Sequence, residues 1–303
     1  MQNQPAQARQ KHWYWDSWIL LGLSCSISFT LRSLMIGEIS ALGYEGLYYL
    51  ALGPIPFGFV YFIYRKEWAR RNIPSQEHNK EVKKVISRKW DNSLDWHTFL
   101  IVLWGAFLQG AIYVGVIESF KMSRLAGLNI GIASAIWSFL PFFVAFLEKI
   151  FFGFGLKVFQ FVGMSLLVVL AVLVALSDLF SDNAEEVTLN PNIEHKEPVY
   201  KAILYSFIFP VSAGFMNMTV VYTKTNLRLQ ALDWVQANST LYGVIGVIIG
   251  IFFWLMRPGT FKWKYFVQGF IGGTLTLAGA NFIVAALMVE GAPCGPTVAL
   301  INC

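Results

Sequence analysis

The sequence predicts an all-α membrane protein, a multi-pass bundle of transmembrane helices. The main observation is a series of eight long apolar blocks, followed by the start of a ninth near Pro296. A helix needs about 20 apolar residues to cross a hydrocarbon core of about 30 Å, and each of the eight blocks has that length. Composition agrees, because only 14% of the residues are charged, whereas soluble proteins carry about 25%. The apolar runs are continuous, which favours helices over the alternating strands of a β-barrel.

Charged clusters bound the predicted spans. The spans cover residues 17–36, 45–64, 97–117, 126–147, 157–177, 201–222, 234–256 and 267–289. The ninth block reaches only from about residue 296 to Cys303, so we expect the sequence to be cut off within a span. Prolines lack a backbone donor and predict kinks or broken helices at four positions within the spans: Pro54, Pro56, Pro141 and Pro210.

The first span is predicted to remain as an anchor with its N-terminus in the cytoplasm. Aromatic residues before it suit the headgroup region, and no small-residue cleavage site follows a short apolar core. Of the 23 lysines and arginines, 15 fall on the side of the N-terminus and seven on the opposite side. The positive-inside rule therefore gives the orientation. Which membrane holds the protein is not predicted.

Two segments between the spans have opposite charge. The basic stretch from Arg65 to Lys89 lacks interleaved aromatic residues and adjoins a membrane, so we assign it to anionic lipids or to topology signalling and exclude nucleic-acid binding. Residues 178–200 form an acidic linker with Asn190 and Pro191 as turn residues. A role in gathering cations is the alternative for this linker.

The linker divides the chain into two halves. Residues 1–177 hold the N-terminal region and five spans, and residues 201–303 hold the rest. The third and fourth spans resemble the eighth and ninth, because in each pair a glycine-containing span reaches a short polar turn and resumes with small residues. Two inverted five-helix repeats are predicted, with the second incomplete, since an odd number of spans reverses the second copy. Inverted repeats are common in secondary transporters.

Residues 125–176 resemble a known family. A helix of small residues contains Pro141 in its second half, a turn follows at Glu148 to Gly153, and the next helix opens with Gln160 to Gly163. This pattern resembles the EamA-type repeat of the drug/metabolite transporter superfamily, with a weaker similarity from Gly272 to Ala299. The resemblance implies ten helices, cytoplasmic termini, a cavity between the halves, a ninth helix that lines the path and a peripheral tenth helix often concerned with dimer contact.

Polar residues within the spans are the candidate substrate-binding groups, because each is costly in lipid unless it faces a partner or a water-filled cavity. Arg32 is the only clear charge within a predicted span; it could bind an anionic substrate, or it could extend to the headgroups. The alternative for each of the others is an interhelical hydrogen bond that only holds helices together. The candidates are Arg32, Gln109, Tyr113, Asn129, Trp137, Asn217, Asn238, Tyr242 and Asn281.

Small residues at GxxxG spacing predict close helix packing in three places. The pairs are Gly127 with Gly131, Gly246 with Gly250, and Gly269 with Gly273.

An enzyme is not expected. The four histidines lie outside the spans without clustering, and the three cysteines have neither metal spacing nor a disulfide framework. No P-loop motif is present, so bound ATP would not drive transport. We therefore expect no cofactor and no metal site.

The favoured function is a secondary transmembrane transporter of small polar metabolites, working by alternating access around a central cavity between the two repeats. The alternative is a transport-inactive membrane scaffold, receptor or assembly subunit that retains the fold. An ion channel ranks lower, because no span offers an acidic ring or a carbonyl filter motif. The expected partners are a small-molecule substrate, a coupling ion, the lipid bilayer and, from the resemblance, a second copy in a homodimer.

Overall fold

The structure is a computed structural model that describes residues 4–72, 96–126, 128, 131–153, 158–176, 198–226, 231–257 and 259–288. Within these residues the chain is helical and contains no strand. A helix bonds its own backbone groups, which is what a segment in lipid requires. Asn129, residues 178–197 of the predicted linker and the start of the ninth block lie outside the described residues.

The helices are numbered here in chain order, with a 3-10 turn (Ser40–Glu45) between the first two. They are α1 (Gln4–Ile39), α2 (Gly46–Leu50), α3 (Pro54–Asn72), α4 (Trp96–Leu125), α5 (Gly131–Trp137), α6 (Leu140–Phe152), α7 (Val158–Leu176), α8 (Val199–Asn226), α9 (Ala231–Met256) and α10 (Trp263–Met288).

Six segments of the described chain are long and apolar enough to cross a membrane. They are Ile19–Arg65, Trp96–Leu125, Gly131–Phe152, Val199–Thr223, Ala231–Met256 and Trp263–Ala286. The first has 47 residues and contains both the first and the second predicted span. The predicted fifth span is helix α7, which is not among the six. The chain is thus a helical membrane protein.

Contacts at one end of the bundle join helices from distant parts of the chain. Glu38, at the end of α1, binds Lys264, at the start of α10, with 2.9 Å between Oε2 and Nζ. Arg124, at the end of α4, donates to the Gly37 carbonyl oxygen at 2.8 Å. The last residues of α1 and α4 therefore lie together with the first residues of α10, at what we call the Lys264 end.

Asp233, at the start of α9, marks the opposite end, which we call the Asp233 end. Its Oδ1 accepts a hydrogen bond from Tyr61 at 2.6 Å and lies 3.3 Å from the Arg65 Nε, both on α3. Because the last part of α3 meets the first residues of α9, these two helices are antiparallel. Arg65, predicted on one side of the membrane, thus lies at the opposite end from Arg124 and Lys264, predicted on the other, while the end that faces the cytoplasm stays a prediction.

The segment from Tyr48 to Ala51 packs closely against α9. A β-carbon on Gly250 would lie 2.8 Å from that of Tyr48, and one on Gly246 would overlap the Ala51 side chain. Only glycine leaves room for this approach, so the GxxxG pair predicted here does mark close packing.

The same segment packs against α10 on its other side. A β-carbon on Gly269 would lie 2.5 Å from the Tyr49 Cβ, and one on Gly273 would collide with the Leu50 carbonyl oxygen. This second predicted GxxxG pair is also a close-packing site, whereas Gly127 of the third pair lies outside the described residues. The α2 segment is thus wedged between α9 and α10.

Prolines interrupt the helices at two of the predicted places. Pro54 is the first residue of α3 and Pro56 lies in its first turn, where the missing donor costs nothing. Pro141 lies in the first turn of α6, after a break at Ser138 and Phe139 that separates it from α5. Pro210 instead lies within α8, which continues through it.

The outer surface of the bundle is apolar, as lipid contact requires. Leu20, Phe252 and Leu255 are large apolar side chains that are mostly exposed. Patches of this extent are rare on soluble monomers. The interior is built on the pairings of α4 with α8 and of α1 with α10, which are the most extensive in the described bundle.

Candidate functional site: a cavity with a buried arginine

A cavity of about 80 Å³ lies near the middle of α4, α8 and α10. Side chains of α1, α6 and α9 complete its wall, so six helices contribute. Most of the lining is apolar, and the polar lining side chains are Arg32, Gln109, Asn217 and Thr276. Small-molecule sites are commonly built this way, with a few polar groups that orient the ligand in an apolar pocket. The volume exceeds what one water molecule needs.

Arg32, on α1, brings a charge to this cavity. Only 3% of its surface is exposed, and its guanidinium group lies over the Phe29 ring, 4.9 Å from the ring centre. Its Nε has no hydrogen-bond partner, and no acidic side chain of the described residues pairs with it. The side chain therefore lies in the cavity and does not extend to the headgroups. A buried charge without a partner is costly in free energy.

Gln109 and Asn217 face the cavity from α4 and α8, the two helices that pair most extensively. Both side chains are buried. The hydroxyl group of Tyr113, one turn after Gln109, lies near Gln109, Thr276 and the Arg32 guanidinium. That hydroxyl is buried and has no hydrogen-bond partner of standard geometry in the described part of the chain. Of the i, i+4 pair predicted on α4, Gln109 thus lines the cavity, whereas Tyr113 lies next to it outside the lining.

Trp137 borders the cavity without lining it. It ends α5, directly before the break, and its ring lies 5.0 Å from that of Phe209 and 5.2 Å from that of Phe120. Phe209 itself lines the cavity. The indole Nε1 is buried, with no partner among the described residues.

Asn238 and Tyr242, predicted as an i, i+4 pair on α9, lie outside the cavity lining. Asn238 is buried where α9 packs against Gly105 of α4. Tyr242 donates to the Leu47 carbonyl oxygen at 3.3 Å and stacks on Tyr113 with 5.2 Å between ring centres. Tyr242 thus holds two helices together, which is the alternative that the sequence left open. The Asn238 Oδ1 accepts from Ser239 of its own helix, and its Nδ2 has no partner among the described residues.

Asn281 also makes an interhelical hydrogen bond. Its Oδ1 accepts from Gln236 Nε2 at 2.7 Å, which joins α10 to α9. Asn281 does not line the cavity, although its neighbour Ala280 does. Asn129 lies outside the described residues.

Two further charged side chains are buried in the described helices, Glu118 and Asp233, each one residue outside a predicted span. Glu118 is fully buried on α4 beneath the turn at Gly43, and Lys121 Nζ is 4.0 Å from its Oε2. Asp233 is buried at the start of α9. The third span was predicted to end at residue 117, but α4 continues to Leu125 and carries Glu118 into the interior. Thr276 was missed because no sequence signal separates it from other small residues of α10.

In the described part of the chain, no group of three or more His, Cys, Asp or Glu residues could hold a metal ion. Scans of the chain against models of protein families and against curated proteins gave no match. The candidate site is therefore a partly open, mostly apolar cavity with one buried guanidinium group and several hydrogen-bonding side chains.

Proposed function

We propose that the protein is a secondary transporter of small polar metabolites that works by alternating access around the cavity of Arg32, Gln109 and Asn217. The observation that carries the proposal is the cavity itself, where polar groups of four helices converge halfway along the bundle. Transporters bind substrates near the middle of the bilayer, at the interface between their repeats. A scaffold has no need of a buried charge in a cavity, since such a charge costs stability.

The packing of the helices supports the two inverted repeats that we propose for this bundle. In that scheme α1 corresponds to α8, α3 to α9 and α4 to α10. Exchanging the corresponding helices turns the α1 and α10 pairing into the α8 and α4 pairing, and these are the two most extensive pairings of the described chain. The exchange leaves the α3 and α9 pairing unchanged. We also propose, from the sequence resemblance alone, that the chain is an EamA-type carrier.

The broken fourth span supports a transport role for the cavity. Leu140, the first residue of α6, lines the cavity directly after the break that separates α5 from α6. Discontinuous helices at mid-membrane are a frequent element of transporter binding sites, because they bring backbone groups and helix ends to the substrate.

Uptake into liposomes tests the proposal. Purified full-length protein is reconstituted and offered a panel of labelled small neutral, anionic and cationic solutes. We expect uptake of at least one solute, and Gln109→Leu and Asn217→Leu should each reduce it about tenfold, the factor that corresponds to about 1.4 kcal/mol. Thr219→Val is the matched control for α8, because Thr219 bonds only to its own helix, at the Phe215 carbonyl oxygen.

Two outcomes would contradict the proposal. Uptake no greater than that of protein-free liposomes across the whole panel would favour the scaffold, receptor or assembly subunit. Uptake that both cavity variants leave unchanged would show that solutes cross elsewhere.

A further inference from the structure

We infer that the cavity binds a small organic monocarboxylate, with the carboxylate group against the Arg32 guanidinium. The inference rests on the proposed transport function, because it names the class of solute that would be carried. Within the general class of small polar metabolites, it specifies the charge, the size and the polarity of the solute.

The charge of the ligand follows from the surroundings of Arg32. A guanidinium group stays charged in proteins and is stabilised in an apolar environment only by an anion or by several acceptors. The described structure supplies a ring face, Phe29, but no carboxylate and no bond to Nε. The cavity beside the guanidinium is the space in which a counter-charge can lie.

Hydrogen-bond donors around the cavity point to the same ligand charge. Arg32 lines the cavity, and its Nε is a buried donor without a partner in the described chain. Gln109 and Asn217 add amide groups at the wall. Arginine nitrogens can only donate, so they fit acceptor oxygens. A carboxylate is an acceptor-only group that takes two parallel bonds from a guanidinium group.

The number of charges favours a carboxylate over a phosphate. Arg32 is the only charged side chain among the described lining residues, and a phosphate ester carries about −1.5 to −2 at neutral pH. A single guanidinium group would leave part of that charge uncompensated in an apolar cavity, whereas a monocarboxylate is neutralised. Phosphate recognition usually draws on several charged or backbone donors.

The rest of the ligand should be short and apolar. Phe209, Met216, Val220 and Ile283 contribute apolar surface to the wall, which a sugar or a polyol could not satisfy. The volume of about 80 Å³ favours a short chain over a long acyl chain. A two- to four-carbon acid therefore fits better than a fatty acid from the bilayer.

Binding to the detergent-solubilised full-length protein tests the inference without requiring transport. The probe is radiolabelled 2-oxobutanoate, measured by equilibrium binding. We expect saturable binding that unlabelled 2-oxobutanoate and propanoate displace, and that inorganic phosphate, butanamide and dodecanoate displace at least ten times less well. If butanamide displaced the probe equally well, the requirement for a negative charge would be overturned. Equal displacement by phosphate would overturn the choice of a carboxylate, and equal displacement by dodecanoate would overturn the limit on size.

Three variants assign the binding to Arg32. Arg32→Gln should weaken 2-oxobutanoate binding at least tenfold, and Arg32→Lys should weaken it less, because lysine keeps the charge and loses the paired donors. Arg257→Gln is the matched control, since Arg257 is mostly exposed and lies 4.0 Å from Glu45 at the Lys264 end. Arg32→Gln removes an unpaired buried charge, so we expect it to fold, and a single monodisperse peak on gel filtration checks this. Unchanged binding by a monodisperse Arg32→Gln protein would overturn the inference.

Failure of this inference can be told apart from failure of the transport proposal. Binding of 2-oxobutanoate without uptake of any solute would support the carboxylate site and contradict transport. Cavity-dependent uptake of neutral solutes together with no carboxylate binding would overturn the carboxylate site and leave transport standing.

Discussion

At the scale of single residues, the protein treats its buried charges in two ways. Asp233 is partnered, by the Tyr61 hydroxyl at 2.6 Å and the Arg65 Nε at 3.3 Å. Arg32 has no such partner among the described residues, although it is equally buried. A charge that is paired stabilises the contact between helices, whereas one that is left unpaired beside a cavity costs stability and is typical of a functional site. We therefore expect the paired charge at the Asp233 end to stabilise the helix contact and the unpaired charge at the cavity to bind a ligand.

The Tyr61 hydrogen bond should contribute measurably to stability. Tyr61→Phe removes a donor to a buried carboxylate, and we expect the free energy of unfolding to fall by about 1.5–3 kcal/mol. Unfolding in mixed micelles by titration with a denaturing detergent, followed by tryptophan fluorescence, measures this change. Tyr64→Phe is the control, because Tyr64 is mostly exposed. Equal stability of the two variants would mean that Asp233 is satisfied by Arg65 alone.

Residue type predicted which side chains could line a binding site, but the rotation of each helix about its axis decided which of them face the cavity. Arg32, Gln109 and Asn217 were predicted because the cost of a polar group in lipid is visible in the sequence. Asn281 has the same signal, yet it bonds to Gln236 of a neighbouring helix, and Asn238 has it too, yet it is buried in a helix contact; neither lines the cavity. Which face of a helix meets a cavity depends on packing against several partners, and one span's sequence does not contain that information.

At the scale of elements, the sequence predicted the close packing of α2 between α9 and α10 that the described bundle shows. Glycines at four-residue spacing indicated it, since they lack the side chain that would keep two backbones apart. The lengths of helices were harder to predict. The apolar run of the third span ends at residue 117, but α4 continues to Leu125 because tertiary contacts, including the one from Arg124 to the Gly37 carbonyl oxygen, support its last turns.

Gly273→Ala should destabilise this wedge. The added methyl group would meet the Leu50 carbonyl oxygen, a backbone atom that cannot move aside cheaply. Overpacking of this kind costs about 1–3 kcal/mol. Thermal unfolding of the purified variant, followed by intrinsic fluorescence, measures the loss.

Gly163→Ala provides the control for that experiment. Gly163 lies on α7 with nothing within 4 Å of an added β-carbon. Because alanine favours a helix over glycine by about 1 kcal/mol, this variant should be as stable as the parent or slightly more so. Stability of Gly273→Ala equal to that of Gly163→Ala would contradict the close packing at Gly273.

At the scale of the whole molecule, the two ends of the bundle should lie on opposite sides of the membrane. Arg71→Cys, beyond Arg65 at the Asp233 end, and Lys262→Cys, beside Lys264, place exposed thiols at the two ends. On a background with Cys294 and Cys303 changed to serine, a membrane-impermeant maleimide should label Lys262→Cys in intact cells. Arg71→Cys should be labelled only after permeabilisation. The reverse pattern would invert the predicted orientation, and labelling of both in intact cells would contradict the bundle's transmembrane placement.

The central claim is that one cavity is reached from both sides of the membrane in turn. Ala213 lines the cavity on α8, whereas Ala106 is buried on α4 outside its lining. With Cys25 also changed to serine, the same background allows a single cysteine to be placed at either position. A small membrane-impermeant methanethiosulfonate is then added to sealed vesicles of each orientation. We predict that Ala213→Cys reacts in both right-side-out and inside-out vesicles, while Ala106→Cys reacts in neither. Reaction of Ala213→Cys from one side only, or from neither, would contradict alternating access and favour a membrane protein that does not transport.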